Sequence, residues 1–194
     1  MVIIPGYLPP ISFFKKIINL KTIYICKSSS YQKQTYRNRC IISTSNGIQK
    51  LTVPIRHNNK NKSYFGTQIY NEITWQKNHW KAIESAYNSS PFFKYYFDGF
   101  FPFYKKKYKF LFDYNYEMLI HVFKLMELNI IVKNYEITED YLEINKLLNP
   151  KKKREEFKSY SQVFSNKNGF QSDLSIIDLI FNLGPETNEY LNSI

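Results

Sequence analysis

Along the chain the apolar residues change period several times, and each change predicts an element. Val2-Ile3-Ile4 is a short apolar run ended by Pro5-Gly6, which predicts a buried strand. Ile11, Phe14, Ile17 and Ile18 recur at helical spacing behind Pro9-Pro10 and predict a helix over 11–20. Thr22–Cys26 predicts a second strand. Cys40–Ser43 and Gln49–Ile55 flank Asn46-Gly47, a strong hairpin signal. His57–Ser63 reads as a solvated loop and Thr67–Tyr70 as a strand. Thr74 then stands as the cap of an amphipathic helix reaching about Ser89. On that helix Trp75, His79, Trp80, Ala82, Ile83, Ala86 and Tyr87 fill one arc, with Lys77, Asn78, Lys81 and Asn88 opposite.

After Pro91 the aromatic-rich stretch Phe92–Tyr104 reads as helix, followed by basic Lys105–Lys109, a helix over 113–127 and a strand over 130–135. Residues 136–158 carry no firm period, and their run Lys151–Glu156 reads as a solvated face. Leu174–Leu183 predicts a mostly apolar helix stopped by Gly184-Pro185, with a short helix after it. Together these elements predict a mixed α/β or α+β fold. It is expected to be a single domain over 1–194, with a small sheet from the N-terminal half packed by several helices.

Composition narrows the classes. Hydrophobic residues make up 43% and aromatics 18% of the 194 residues, which excludes a disordered chain. Two cysteines, Cys26 and Cys40, exclude a disulfide-dense scaffold and a four-cysteine zinc site; both read as buried thiols. No stretch approaches a membrane span, and the N-terminus, uncharged before Lys15 and broken by prolines, is a poor signal peptide, so a cytoplasmic location is expected. The three histidines, His57, His79 and His121, lie in unrelated contexts, so no metal site is expected. No phosphate loop or nucleophile elbow is present, and no cofactor is implied.

The net charge of +11 points towards nucleic acid or membrane surfaces. Much of it reflects codon usage. Lys outnumbers Arg 23 to 4, and Lys, Ile, Asn, Tyr and Phe supply 98 residues, as in an A/T-rich genome. The distribution of acids is more telling. Residues 1–97 hold 14 Lys+Arg against 2 acids, net +12, whereas residues 98–194 hold 13 against 14, net −1. The first acid is Glu72. An acid-free N-terminal third suits a surface that faces an anion.

The densest polar cluster there is Gln32–Arg39, between two predicted strands. Arg37 and Arg39 are two of the four arginines in a chain that otherwise uses lysine, and the guanidinium fork binds phosphate or carboxylate in a way that ammonium does not. In an extended segment Arg37 and Arg39 would share one face and Asn38 the other. The alternative is a polar lead-in to a strand. His79 is either a hydrogen-bonded core residue or the floor of a pocket. Glu84 either borders that pocket or is a plain surface glutamate. Ser175, Asp178 and Asn182 form a polar notch on the C-terminal helix, either solvent-facing or internal, where Asp178 would face the arginine pair.

Several strings resemble the WbqC-like protein family: Pro5–Phe14 (PGYLPPISFF), Gln32–Cys40 (QKQTYRNRC), Leu51–Ile55 (LTVPI), Trp75–Phe93, Tyr160–Phe164, Gly169-Phe170, and Leu174–Asp178 (LSIID) running on to Gly184-Pro185-Glu186. They are collinear from residue 1 to about 190 and closest to the short branch of the family; residues 129–158 match least. Where members often carry Gln before the first proline this chain has Ile4, and where an acid often precedes the arginine string it has Ser28-Ser29-Ser30. The resemblance implies a bacterial cytoplasmic protein linked to surface-polysaccharide (O-antigen) biosynthesis and described as a glycine or acyl transferase.

Residues and resemblance together give an expected site for a small anionic donor or acceptor, such as a nucleotide-sugar or an activated aminoacyl group. Arg37 and Arg39 would hold the anion, Gln34 and Asn38 would orient the substrate, and Tyr7, Tyr36 and Ser175 would complete the binding set. His79 would accept a proton, with Asp178 or Glu84 orienting it. A non-enzymatic anion-binding protein and an RNA-binding module are the alternatives; no RNA-binding motif supports the latter.

Overall fold

The computed structural model describes residues 1–56, 63–135, 148–149 and 154–194. The expected loop at His57–Ser63, apart from Ser63, and most of the 136–158 stretch lie outside the described residues.

Three parallel strands form the main sheet. β1 (Val2–Ile3), β2 (Thr22–Cys26) and β5 (Ile131–Tyr135) lie in the order β1-β2-β5, with Val2 opposite Tyr24 and Thr22 opposite Ile131. Parallel neighbours need a crossover, and α1 (Ile11–Ile17) supplies the first one, burying Phe13, Phe14 and Ile17. The third strand comes from residues 131–135, so everything between β2 and β5 is one long excursion from the sheet.

That excursion begins with a separate antiparallel hairpin of β3 (Arg39–Thr44) and β4 (Gly47–Thr52). Its turn residues are Ser45 and Asn46, closed by Gly47 at φ 94°. Pairing continues to Val53, whose N–H donates to the Asn38 carbonyl at 2.8 Å, and stops at Pro54, which has no N–H to give. The strand expected over Thr67–Tyr70 is not formed. That segment makes only isolated bridges, Ile55 to Ile69 and Gln68 to Phe110.

Helices α2 (Trp75–Tyr87), α3 (Phe93–Phe100) and α4 (Leu111–Leu125) follow. Thr74 precedes α2 at φ −82°, ψ 39°, outside the extended geometry of a side-chain cap, and its hydroxyl makes no capping bond. Short α5 (Ser165–Asn168) leads to α6 (Ile176–Leu183) and α7 (Thr187–Ser193). One continuous apolar core joins residues from Ile3 to Leu191.

The strings that stood out in the sequence meet in space. Tyr7 N–H donates to the Tyr36 carbonyl at 2.8 Å, Ser175 N–H to the Ile41 carbonyl at 2.8 Å, and Ile176 N–H to the Pro9 carbonyl at 3.0 Å. Ser175 Oγ donates to the Leu8 carbonyl at 2.8 Å instead of capping α6. The buried Pro5–Pro10 segment is thus clamped between the arginine string and the start of α6, and so holds Tyr36 and β3 in place. Among the described residues, no helix is long and apolar enough to cross a membrane.

Candidate functional site

The hairpin register builds the site. Ile41 pairs with Lys50 and Ser43 with Ile48, so Arg39, Ile41, Ile48 and Lys50 share one face of the two strands. Gln34, Tyr36 and Arg154 close over that face, leaving a pocket of about 330 Å³ that is lined, among the described residues, by these seven. Three of the seven are cations and none is an acid. Ile41 and Tyr36 are buried, Arg39 and Arg154 partly so, and Lys50 is exposed.

Two arginines give this pocket its chemistry. Arg39 Nε and Arg154 Nη1 are enclosed and hydrogen-bond to no other described residue. An anion in the pocket would meet the exposed part of these two side chains, where the guanidinium fork can pair with its oxygens. Tyr36 interacts with both arginines. Burial, aided by Asp173 and opposed by Arg154 and Arg39, pushes its hydroxyl up to about 12, so it remains a neutral donor at physiological pH. Asp173 is itself held by Ser12, whose N–H donates at 2.8 Å and Oγ at 2.9 Å. Gln34 reaches the pocket from a left-handed turn position at φ 57°.

Of the residues expected in the site, Gln34, Tyr36 and Arg39 line this pocket. Arg37 does not. Residues 33–38 form turns and not an extended segment, so the two arginines part company. Arg37 is fully buried, with Nη1 3.3 Å from Gln32 Oε1 and 3.4 Å from Thr35 Oγ1, and its guanidinium 5.8 Å from the Tyr64 ring. Asn38 is also interior, its Nδ2 donating to the Val53 carbonyl at 2.9 Å.

His79 takes the core alternative. Its Nδ1 is 3.0 Å from the Tyr7 hydroxyl, and its other nitrogen donates to the Thr52 carbonyl. The ring packs against Tyr7 and Trp75, and burial lowers its pKa to about 4, so it is neutral at pH 7. Tyr7 is fully buried and shares a second hydrogen bond with Tyr104 at 3.0 Å. Burial also pushes the Cys40 thiol up, leaving a buried unreactive sulfur.

Asp178 does not face the arginines. It accepts hydrogen bonds from Tyr87 Oη at 2.9 Å, Tyr160 Oη at 2.5 Å and Gln162 Nε2 at 2.9 Å. The notch on α6 is therefore internal and is filled by neutral donors; burial raises the Asp178 carboxyl, with those donors opposing. Glu84 is exposed on α2. Tyr7, Asn38, His79, Glu84, Ser175 and Asp178 are not among the pocket-lining residues. Among the described residues, no three His, Cys, Asp or Glu side chains gather as metal ligands.

Sequence reasoning missed Lys50, Arg154, Ile41 and Ile48. The hairpin signal at Asn46-Gly47 implied the face that Lys50 shares with Ile41 but not their pairing: a turn centred on those two residues would set Lys50 opposite Ser43, and the turn lies one residue earlier, at Ser45-Asn46. The argument from a retained arginine applied equally to Arg154, which lies within the run read as a solvated face.

The hairpin of this mixed α/β chain thus carries a pocket lined by two arginines and a lysine. The WbqC-like protein family model matches residues 5–153, well over half of the chain, and the chain belongs to that family. The match takes in six of the seven pocket residues and ends one position before Arg154. The uncharacterized protein Rv1507c of Mycobacterium tuberculosis is 25% identical over 217 residues, covering 96% of this chain and 94% of that protein. No solved structure matches the chain significantly.

Proposed function

We propose that this protein binds a small phosphate- or carboxylate-bearing molecule in the Arg39–Arg154 pocket and acts on it as a transferase. One observation carries the anion reading: among the described residues, two arginines and a lysine from separate parts of the chain line one pocket and no acid does. In this reading Arg39 and Arg154 grip the anion through their forks, Lys50 adds a point charge at the exposed side, and Tyr36 and Gln34 donate hydrogen bonds. The transfer chemistry, and a place in surface-polysaccharide biosynthesis with a nucleotide-sugar or activated aminoacyl donor, rest on the family resemblance.

A second reading has its own support. Among the described residues, no histidine, carboxylate or thiol lines the pocket to serve as a general base, which favours ligand binding without chemistry by this chain alone.

A thermal-shift screen against nucleotide-sugars, acyl phosphates, carboxylates and tRNA tests the anion reading. A ligand at a hundredfold its dissociation constant adds about 2.7 kcal/mol of stability. Arg39→Gln keeps most of the side-chain stem and is expected to weaken the bound hit about 30-fold, the equivalent of about 2 kcal/mol. A hit whose affinity is unchanged in Arg39→Gln binds elsewhere and overturns the reading. Binding confined to tRNA, with steep salt dependence, would point to the nucleic-acid alternative.

A further inference from the structure

We infer that the ligand of this pocket carries a diphosphate, with an attached carbon group lying over Ile41 and Ile48. The inference rests on the anion reading above and narrows its chemical class.

Charge is the first consideration. Arg39, Arg154 and Lys50 bring three formal positive charges to one cavity. A monocarboxylate would neutralise one of them and leave at least one partly buried guanidinium without a counter-charge. Uncompensated charge of that kind is what buried ionic sites avoid. Asp173, which acts on Tyr36, does not line the pocket and is already engaged by both donors of Ser12. A diphosphate brings two or three negative charges and meets the demand with a single ligand.

Geometry of the donors is the second. The two lining arginines come from separate parts of the chain, Arg39 at the start of β3 and Arg154 well beyond β5, so each can offer its fork to its own oxygen set. Arginine forks engage a phosphate through paired N–H groups, and two forks suit two linked phosphates better than one small carboxylate. Tyr36, held protonated, can only donate to such an anion at neutral pH, and Gln34 can donate as well. Among the described residues, no hydrogen-bond acceptor with a formal charge lines the pocket to repel it.

Shape is the third. A cavity of about 330 Å³ lies at the small end of ligand sites, which run from roughly 300 to 1,000 Å³. It holds a small charged group and not a polymer. Ile41 and Ile48 give one wall apolar character, and Ile48 is 37% exposed beside exposed Lys50, so the cavity opens along β4. A carbon substituent on the diphosphate would leave by that side, resting on Ile48.

The test is isothermal titration of the whole protein with inorganic pyrophosphate, orthophosphate and acetate at one fixed salt concentration. Each is repeated on Arg39→Gln, Arg154→Gln and Lys50→Gln, and melting curves confirm that the variants are folded. Pyrophosphate is expected to bind at least about tenfold more tightly than orthophosphate, and acetate more weakly still. Arg154→Gln is expected to reduce that preference to about threefold or less, because one of the two forks is gone. Equal affinity for pyrophosphate and orthophosphate, or for acetate, would overturn the diphosphate assignment while leaving an anion site in place. A pyrophosphate preference that persists in both arginine variants would also overturn it, since the ion would then be bound away from the pocket. No binding of any of the three would count against the anion reading itself.

Discussion

Replacing Gly184 by alanine is expected to destabilise the protein by about 2–6 kcal/mol, combining roughly 1–3 kcal/mol of backbone strain with a similar overpacking cost. Gly184 follows α6 at φ 54° and ψ −122°, a region that side-chain-bearing residues rarely adopt. A Cβ built there would lie 2.5 Å from the Phe92 ring, well inside contact distance. Phe92 cannot simply withdraw, because its N–H donates to the Phe181 carbonyl at 3.0 Å within the same corner. For a chain of this length the melting temperature should fall by roughly 10 °C. Phe92→Ala, which removes the clashing Cγ and Cδ1, should cost less stability in the Gly184→Ala background than in the parent. A melting temperature for Gly184→Ala within about 2 °C of the parent would contradict this account of the helix end.

Acid should unfold this protein partly through His79. Its pKa lies at about 4 in the folded state against an ordinary 6.5. The stabilisation it contributes is complete above pH 6.5 and is lost as pH falls through about 4. The shift corresponds to about 3 kcal/mol at 1.36 kcal/mol per unit. Protonation would oblige Nδ1, which accepts from the Tyr7 hydroxyl, to donate instead, inside a pocket of aromatic rings. Asp173 and Asp178 act in the opposite sense, since burial raises both carboxyls and their contribution declines as pH rises. The comparison with His79→Gln isolates the histidine. Denaturant titrations from pH 7.5 to 4.5 should show a steeper decline in the parent than in the variant, which keeps an acceptor for Tyr7 but cannot charge. Parallel pH profiles would mean that His79 does not titrate as a buried neutral group.

Much of the fold was legible because the signals were local. The β-branched run Thr22–Cys26, the Asn46-Gly47 turn and the arc from Trp75 to Tyr87 each fix an element through neighbours within a few residues. What the sequence hid was long-range. Nothing local to 131–135 tells that strand to pair in parallel with β2 more than a hundred residues earlier. Thr67–Tyr70 has strand-like residues but meets two different partners, Ile55 and Phe110, at single bridges only.

The site was half legible for the same reason. Counting acids pointed to the N-terminal third, and the scarcity of arginine pointed to Arg37 and Arg39. Whether each arginine faces inward or outward depends on a turn over 33–38 that the extended-strand reading passed over. The result separates a buried Arg37 from a pocket-lining Arg39. Asp178 seemed a natural counter-charge, yet two tyrosines and a glutamine satisfy it. Arg154 replaces Arg37 as the second fork, and only the folded chain brings it beside Tyr36.

The central claim is that an anion sits between Arg39 and Arg154, and locating one is the most direct test. Crystals soaked in tungstate, a heavy oxyanion, should show an anomalous peak inside the pocket, with the ion's oxygens in hydrogen-bonding reach of the Arg39 and Arg154 guanidinium groups and the Tyr36 hydroxyl, and none at that place in Arg39→Gln. Tungstate bound only at other surface lysines, with this pocket empty, would contradict it.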